Sequence, residues 1–267
     1  MRSHLFTAAY WLLTVAYGLA SLPALLLPGR GPVTLVIRSY TRAMKLALRV
    51  IAGIKPKTRG KDRLPKGAFI IAAKHQSWGD GFMVYPEVDN LAFVTGDHLE
   101  RFPAVSGILK KLGAIVIDTC GGGQRKAASL AEGMVIAKAE GRRVLIYPEG
   151  HLAPPDHHFR YKAGVWHMQD AMQVPVVPVA TNLGLFWQQE QHEKTPGTAV
   201  IEFLEPIPPG LEKEEFLERL TRAVETRSQE LIAEARGTPV IESILLPDPK
   251  KGEIALPTTH EVPANAS

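Results

Sequence analysis

Cysteine is almost absent: Cys120 is the one thiol in 267 residues. A lone thiol excludes an intrachain disulfide framework and a cysteine-rich zinc site. It fits a reducing compartment without demanding one. No recognisable nucleic-acid module is present, so nucleic acid is set aside as a partner despite a net charge of +4 and a pI near 9.1. The mild basicity suits an anionic membrane surface or an acidic ligand. Internal repeats are missing too, and the length suits one large domain or two small ones. Charge itself is missing from Leu5 to Leu27.

That uncharged run is long enough to cross a bilayer's hydrocarbon core. Trp11 and Tyr17 are placed to meet an interface. Gly18, Ser21 and Pro23 weaken its second half, which leaves a bent or re-entrant helix open beside a span. A cleaved signal peptide is a third reading, with Arg2 before the run and Gly18-Leu19-Ala20 as the cleavage site. The apolar run continues past that site as Ala24-Leu25-Leu26-Leu27, which argues against cleavage. Next, the spacing predicts an amphipathic helix from Val33 to Ile54. Arg38, Arg42, Lys45 and Arg49 fall within about a 60° arc. Val33, Ile37, Tyr40, Met44, Ala47, Leu48 and Ile51 take the other side. Such a helix lies on an anionic leaflet or packs its apolar face on a domain, two readings that are compatible with each other. Cations after the apolar run place the rest of the chain on the cytoplasmic side.

The stretch AFIIAAKHQSWGD, Ala68 to Asp80, organises the rest of the chain. Phe69 to Ala73 reads as a strand buried on both faces. Polar groups just past such a strand sit where α/β sheets bind ligands. His75 is there, and Ser77 with Asp80 matches the S-x-x-D capping pattern. On one continuous helix His75 and Asp80 would lie about 140° apart. Across a strand-to-helix turn they converge. A neutral imidazole takes a proton from a hydroxyl, while a carboxylate on its far nitrogen fixes the tautomer. No Ser or Cys nucleophile is implied, so the hydroxyl belongs to a substrate. A structural histidine at a turn remains the plain alternative.

Further strands are expected at Leu91–Thr95, Ile115–Asp118, Val144–Tyr147, Val174–Ala180 and Thr198–Leu204. Helices are expected at Phe102–Leu112, Gln124–Ala139, Val165–Gln173 and Glu212–Glu234. Gly121 to Gly123 precede a helix whose first turn holds Arg125 and Lys126, a place for an anion or a plain turn. His151, Asp156, His157 and His158 have no established metal-ligand spacing. Arg160 and Lys162 are better candidates for a substrate phosphate. The expected organisation is membrane-binding helices over 1–55, a catalytic domain over 56–236 and a disordered tail over 237–267.

Four stretches occur in order: KHQSWGD (Lys74 to Asp80), GAIVIDT (Gly113 to Thr119), IYPEGH (Ile146 to His151) and VPVVPVA (Val174 to Ala180). Together they resemble the four blocks of the glycerolipid acyltransferase family, over roughly residues 60 to 210. The resemblance implies an α/β fold, a mixed central sheet with helices on both faces. It implies an O-acyltransferase that moves a fatty acyl group from acyl carrier protein or acyl-coenzyme A to a lysophospholipid hydroxyl, with no cofactor and no metal. His75 is then the general base, Asp80 its orienting carboxylate, and Glu149 and Gly150 acceptor-site residues. Membrane lipids are the partners, at the cytoplasmic face of a bacterial inner membrane. Two departures bear on the acceptor. Thr119 and Leu152 stand where the family places arginines for the acceptor phosphate, and neither replaces a guanidinium. Lysophosphatidate is the first acceptor to expect. A lyso-ornithine lipid, hydrolysis with water as acceptor, and a non-catalytic lipid-binding relative are the alternatives.

Overall fold

The computed structural model describes residues 1–96, 103–117, 122–188 and 193–249, without the side chains of 103–104 and 122–129. Its centre is a seven-stranded sheet: β1 (Ile54–Arg59), β2 (Phe69–Ala73), β3 (Leu91–Gly96), β4 (Ile115–Ile117), β5 (Arg143–Ile146), β7 (Val176–Thr181) and β8 (Gly197–Phe203). The spatial order is β1-β8-β7-β2-β5-β3-β4, parallel throughout except that β7 and β8 are antiparallel. A mixed α/β sheet is therefore the architecture, as the sequence predicts.

Strand β2 lies centrally, and all five of its residues are buried. Alternation sends them to two cores. Phe69, Ile71 and Ala73 join Phe6, Met44, Leu48, Met83 and Trp187. Ile70 and Ala72 join Met134, Val165, Met168, Phe216, Leu220 and Val224. The second set comes from α5 (Gly122–Ala139), α6 (Gly164–Met172) and α7 (Lys213–Arg236). Each such side chain, fully buried, contributes about 1.5–3 kcal/mol. Helices thus cover both faces.

The first face is covered by a helical hairpin, α1 (Arg2–Leu26) and α2 (Gly31–Ala47). Phe6 meets Trp187 edge-on at 5.2 Å, and the Thr14 hydroxyl lies 2.8 Å from that of Tyr40. At the far end of the hairpin, α4 (Pro103–Leu112) packs Ile108 and Leu112 against Ala24 and Val33. Helix α1 is the one described helix long and apolar enough to cross a membrane. Leu5, Leu12, Val15, Leu19, Leu22 and Leu26 stand exposed along it. Helix α2 is shorter than the spacing predicts. It gives way at Leu48–Ala52 to a wider five-residue turn, which Gly53 closes with φ 75°. Its apolar side packs on the domain, and only part of the cationic stripe faces outward. Arg38 donates to Val88 O and Lys45 to Glu87, whereas Arg42 and Arg49 are exposed.

Two short strands run parallel apart from the main sheet, β6 (His157–Phe159) and β9 (Ile244–Leu246). The disordered tail expected from 237 therefore needs correction. Ile244 N–H donates to Asp156 O at 2.8 Å, and Arg236 grips Asp156 through both oxygens. The composition of this segment is polar and proline-rich, but a three-residue run needs only a free strand edge. Residues 250–267 lie outside the described residues.

Candidate active site

His75 follows β2 by two residues, and α3 (Asp80–Val84) starts five positions after it. The turn between them is held by one oxygen. Asp80 Oδ2 accepts from Gln76 N and Ser77 N, each at 2.8 Å, and lies 2.9 Å from His75 Nδ1. Ser77 Oγ accepts from Gly79 N at 3.0 Å. The capping pattern is thus half realised: the carboxylate reaches back to Ser77 N–H, while Gly79 occupies the helix cap. Gly79 has no room for a side chain, because a Cβ there would stand 2.7 Å from the Trp187 ring.

With Asp80 on Nδ1, the proton of a neutral His75 sits on that nitrogen, and Nε2 keeps its lone pair. The imidazole is 19% exposed. Among the described residues Nε2 has no partner. Tyr147, just past β5, stacks on the ring at 3.9 Å and 16°. The Ser77 and Gly79 N–H groups are committed within the turn, so of the three from Ser77 to Gly79 only that of Trp78 lacks a described acceptor.

Directly behind the dyad lies a buried ionic cluster that sequence reasoning missed. Lys74 Nζ contacts Glu149 Oε2 at 3.1 Å, Glu225 Oε1 at 2.9 Å and His157 O at 2.8 Å. Tyr161 hydroxyl donates to Glu225 at 2.8 Å. Glu149 also accepts from Phe159 N at 2.9 Å and from His75 N at 3.4 Å. Burial pushes the Glu149 carboxyl up, and nearby Glu225 adds to this, while Lys74 and Phe159 N–H pull it back. Both Glu149 oxygens are thus paired and its side chain has no exposed surface, so that it braces the backbone of His75.

Gly150 is exposed in the left-handed region at φ 72°, and Lys162 Nζ packs 2.9 Å from where a Cβ would stand. The Lys162 side chain makes no described hydrogen bond or ion pair, while its backbone N–H donates to Pro148 O at 3.0 Å. His151 follows at once. Burial lowers its pKa, with the charges of Lys162 and His75 adding and Asp248 opposing. Lys162 and His151 thus stand together on the His75 side. Arg160 does not join them. It lines a cavity of about 810 Å³ between α7 and residues 240–245, with Tyr161, Arg222 and Gln229. The side chain of Arg125, on the first turn of α5, lies outside the described residues, as do Asp118, Thr119 and Cys120. His157 Nδ1 pairs with Pro155 O and His158 Nδ1 with Ser243 Oγ. Among the described residues no three His, Cys, Asp or Glu side chains gather as a metal set.

Residues 55–182 match the family model described as Acyltransferase. The 1-acyl-sn-glycerol-3-phosphate acyltransferase of Pseudomonas aeruginosa is 28% identical over 228 residues, 84% of this chain and 86% of that protein. The enzyme of the same name from Saccharomyces cerevisiae is 23% identical over 218 residues, 79% of this chain and 69% of that protein. The crystal structure of the 1-acyl-sn-glycerophosphate (LPA) acyltransferase PlsC from Thermotoga maritima shares the fold. Its TM-score is 0.72 at 22% identity, covering 87% of this chain and 98% of that one. The His75–Asp80 dyad lies inside the span that matches the acyltransferase model.

Proposed function

We propose that this O-acyltransferase moves a fatty acyl group from a thioester, on acyl carrier protein or coenzyme A, to the free hydroxyl of lysophosphatidate. The observation that carries the reading is the single Asp80 oxygen, which orients His75 while two backbone N–H groups fix it. His75 Nε2 takes the hydroxyl proton as the oxygen attacks the thioester carbonyl. Asp80 stabilises the imidazolium. The oxyanion needs a donor, and Trp78 N–H is the one this turn leaves. When the intermediate collapses, the carbon–sulfur bond breaks and the thiolate takes the proton back from the imidazolium. No acyl-enzyme is needed.

The acceptor phosphate is assigned to Lys162, with His151 beside it as a neutral donor and Arg125 as a second cation. Lys162→Ala is expected to raise KM for lysophosphatidate about tenfold or more with a smaller change in kcat, since one charge-assisted contact contributes about 1.5–3 kcal/mol. An unchanged KM would remove Lys162 from the site. The exposed face of α1 and the outward Arg42 and Arg49 are assigned to the cytoplasmic leaflet, where acceptor and product reside.

The deciding experiment offers labelled acyl thioester to purified protein in detergent, with lysophosphatidate and lyso-ornithine lipid in parallel. Product from lysophosphatidate that disappears in His75→Ala supports the reading. Product from the other acceptor alone would make Thr119 and Leu152 marks of a changed substrate. Product from neither acceptor would overturn the reading.

A further inference from the structure

Among the described residues the imidazole of His75 has one hydrogen-bonding tether, Nδ1 to Asp80. One tether leaves the ring free to swing, because the torsion that turns it is a broad sp³–sp² rotation. Nε2 must nevertheless point at a substrate hydroxyl, and a misplacement of about 1 Å costs on the order of a hundredfold in rate. The second constraint is a ring face. Strands β2 and β5 are parallel neighbours with Ala72 opposite Ile146. The chain just past each therefore leaves the sheet on the same edge. Tyr147 follows Ile146 at once, and its ring lies flat on His75 at 3.9 Å and 16°.

We infer that Tyr147 is a positioning residue for the acyl transfer, its ring holding the His75 imidazole in the plane that aims Nε2 at the acceptor. The inference rests on the proposed role of His75 as base. The stack also acts selectively. A phenol face attracts a cation, so it stabilises the imidazolium that forms during transfer more than the neutral ring that precedes it. The groups around the imidazole are the Asp80 carboxylate on Nδ1, the Glu149 carboxylate on its backbone N–H, His151, and the ring of Tyr147. Among the described residues the buried Tyr147 hydroxyl has no hydrogen-bond partner. Burial and the charge of Asp80 hold its pKa well above the ordinary phenol value, so it remains a neutral ring. The ring rather than the hydroxyl is the working part.

Three variants test this, read as kcat and KM for both substrates beside wild type and His75→Ala. Tyr147→Phe keeps the ring, and its kcat is expected within about threefold of wild type. Tyr147→Leu removes the stack, and kcat is expected to fall about tenfold or more with both KM values within about twofold. Tyr147→Met repeats the loss with an unbranched chain, so a folding defect peculiar to leucine is recognised. Wild-type kcat in both Leu and Met variants overturns the inference. So does a loss confined to KM, or a Phe variant as slow as the Leu variant. Activity that survives His75→Ala would instead overturn the base assignment, which keeps the two failures apart.

Discussion

Lys74 carries an ammonium to a place with no exposed surface, between two carboxylates and a carbonyl. Such a cluster adds little net stability, because desolvation offsets the attraction, but breaking it leaves charge buried without a partner. Lys74→Met is expected to destabilise by about 3–5 kcal/mol, measured by urea unfolding. Adding Glu225→Leu should recover part of that loss, whereas two additive losses would show that the three groups are not coupled. Gly79→Ala is expected to cost about 1–3 kcal/mol, since its Cβ must displace Trp187 or Leu183, and to lower kcat by shifting the turn beneath Asp80. Wild-type stability and kcat would show that Trp187 yields without strain. His75 and Asp80 were legible because their partnership is local, five residues across one turn. The cluster behind them was not, since Lys74, Glu149 and Glu225 lie 75 and more positions apart and meet only when β2 and α7 pack. Spacing carries no sign of that.

Hydrophobic period made most elements readable one at a time. Strand β2, α6 and α7 lie close to where their apolar spacing places them. Helix α2 shows the limit: its cations share one arc, yet two serve the protein itself. Lys45 and Lys61 bind Glu87 at 2.6 and 3.1 Å. Burial raises the Glu87 carboxyl, but the two lysines outweigh it and hold the pKa below 4.5. A depressed carboxyl stabilises the fold above its unfolded pKa, and that contribution fades as pH falls through the folded value. Glu87→Gln should therefore be less stable than wild type above about pH 4.5, the gap closing on acidification. A gap that stays constant with pH would mean the ion pairs contribute nothing. For α1 the relevant property is its outer face. Leu12 and Leu19 are exposed. Changing both to Glu should leave the fold intact and weaken binding to anionic vesicles about tenfold or more, since two buried leucines contribute about 3 kcal/mol or more. Equal binding would move membrane contact elsewhere.

At the scale of the molecule, everything that holds His75 gathers at one edge of the sheet. The turn from β2 into α3 supplies the dyad, the segment just past β5 supplies Tyr147 and Glu149, and α7 supplies Glu225. The last contributor is the segment after α7. Strand β6 gives Phe159 N–H to Glu149 and His157 O to Lys74, and β9 is its described strand partner. Two three-residue strands pairing across 87 positions carry too little period to be read from sequence, so this support was invisible there. If β9 steadies β6, losing it should loosen Glu149 and with it the backbone of His75. A chain ended after Thr238 is expected to melt several degrees lower and to lose kcat severalfold, with KM for lysophosphatidate less affected. Ile244→Pro makes the same test with the tail retained, because it deletes the N–H that binds Asp156 O. Full kcat in both variants would mean that the Lys74 cluster holds β6 without help. Loss in the shortened chain alone would assign the effect to other residues after Thr238 rather than to the strand pairing.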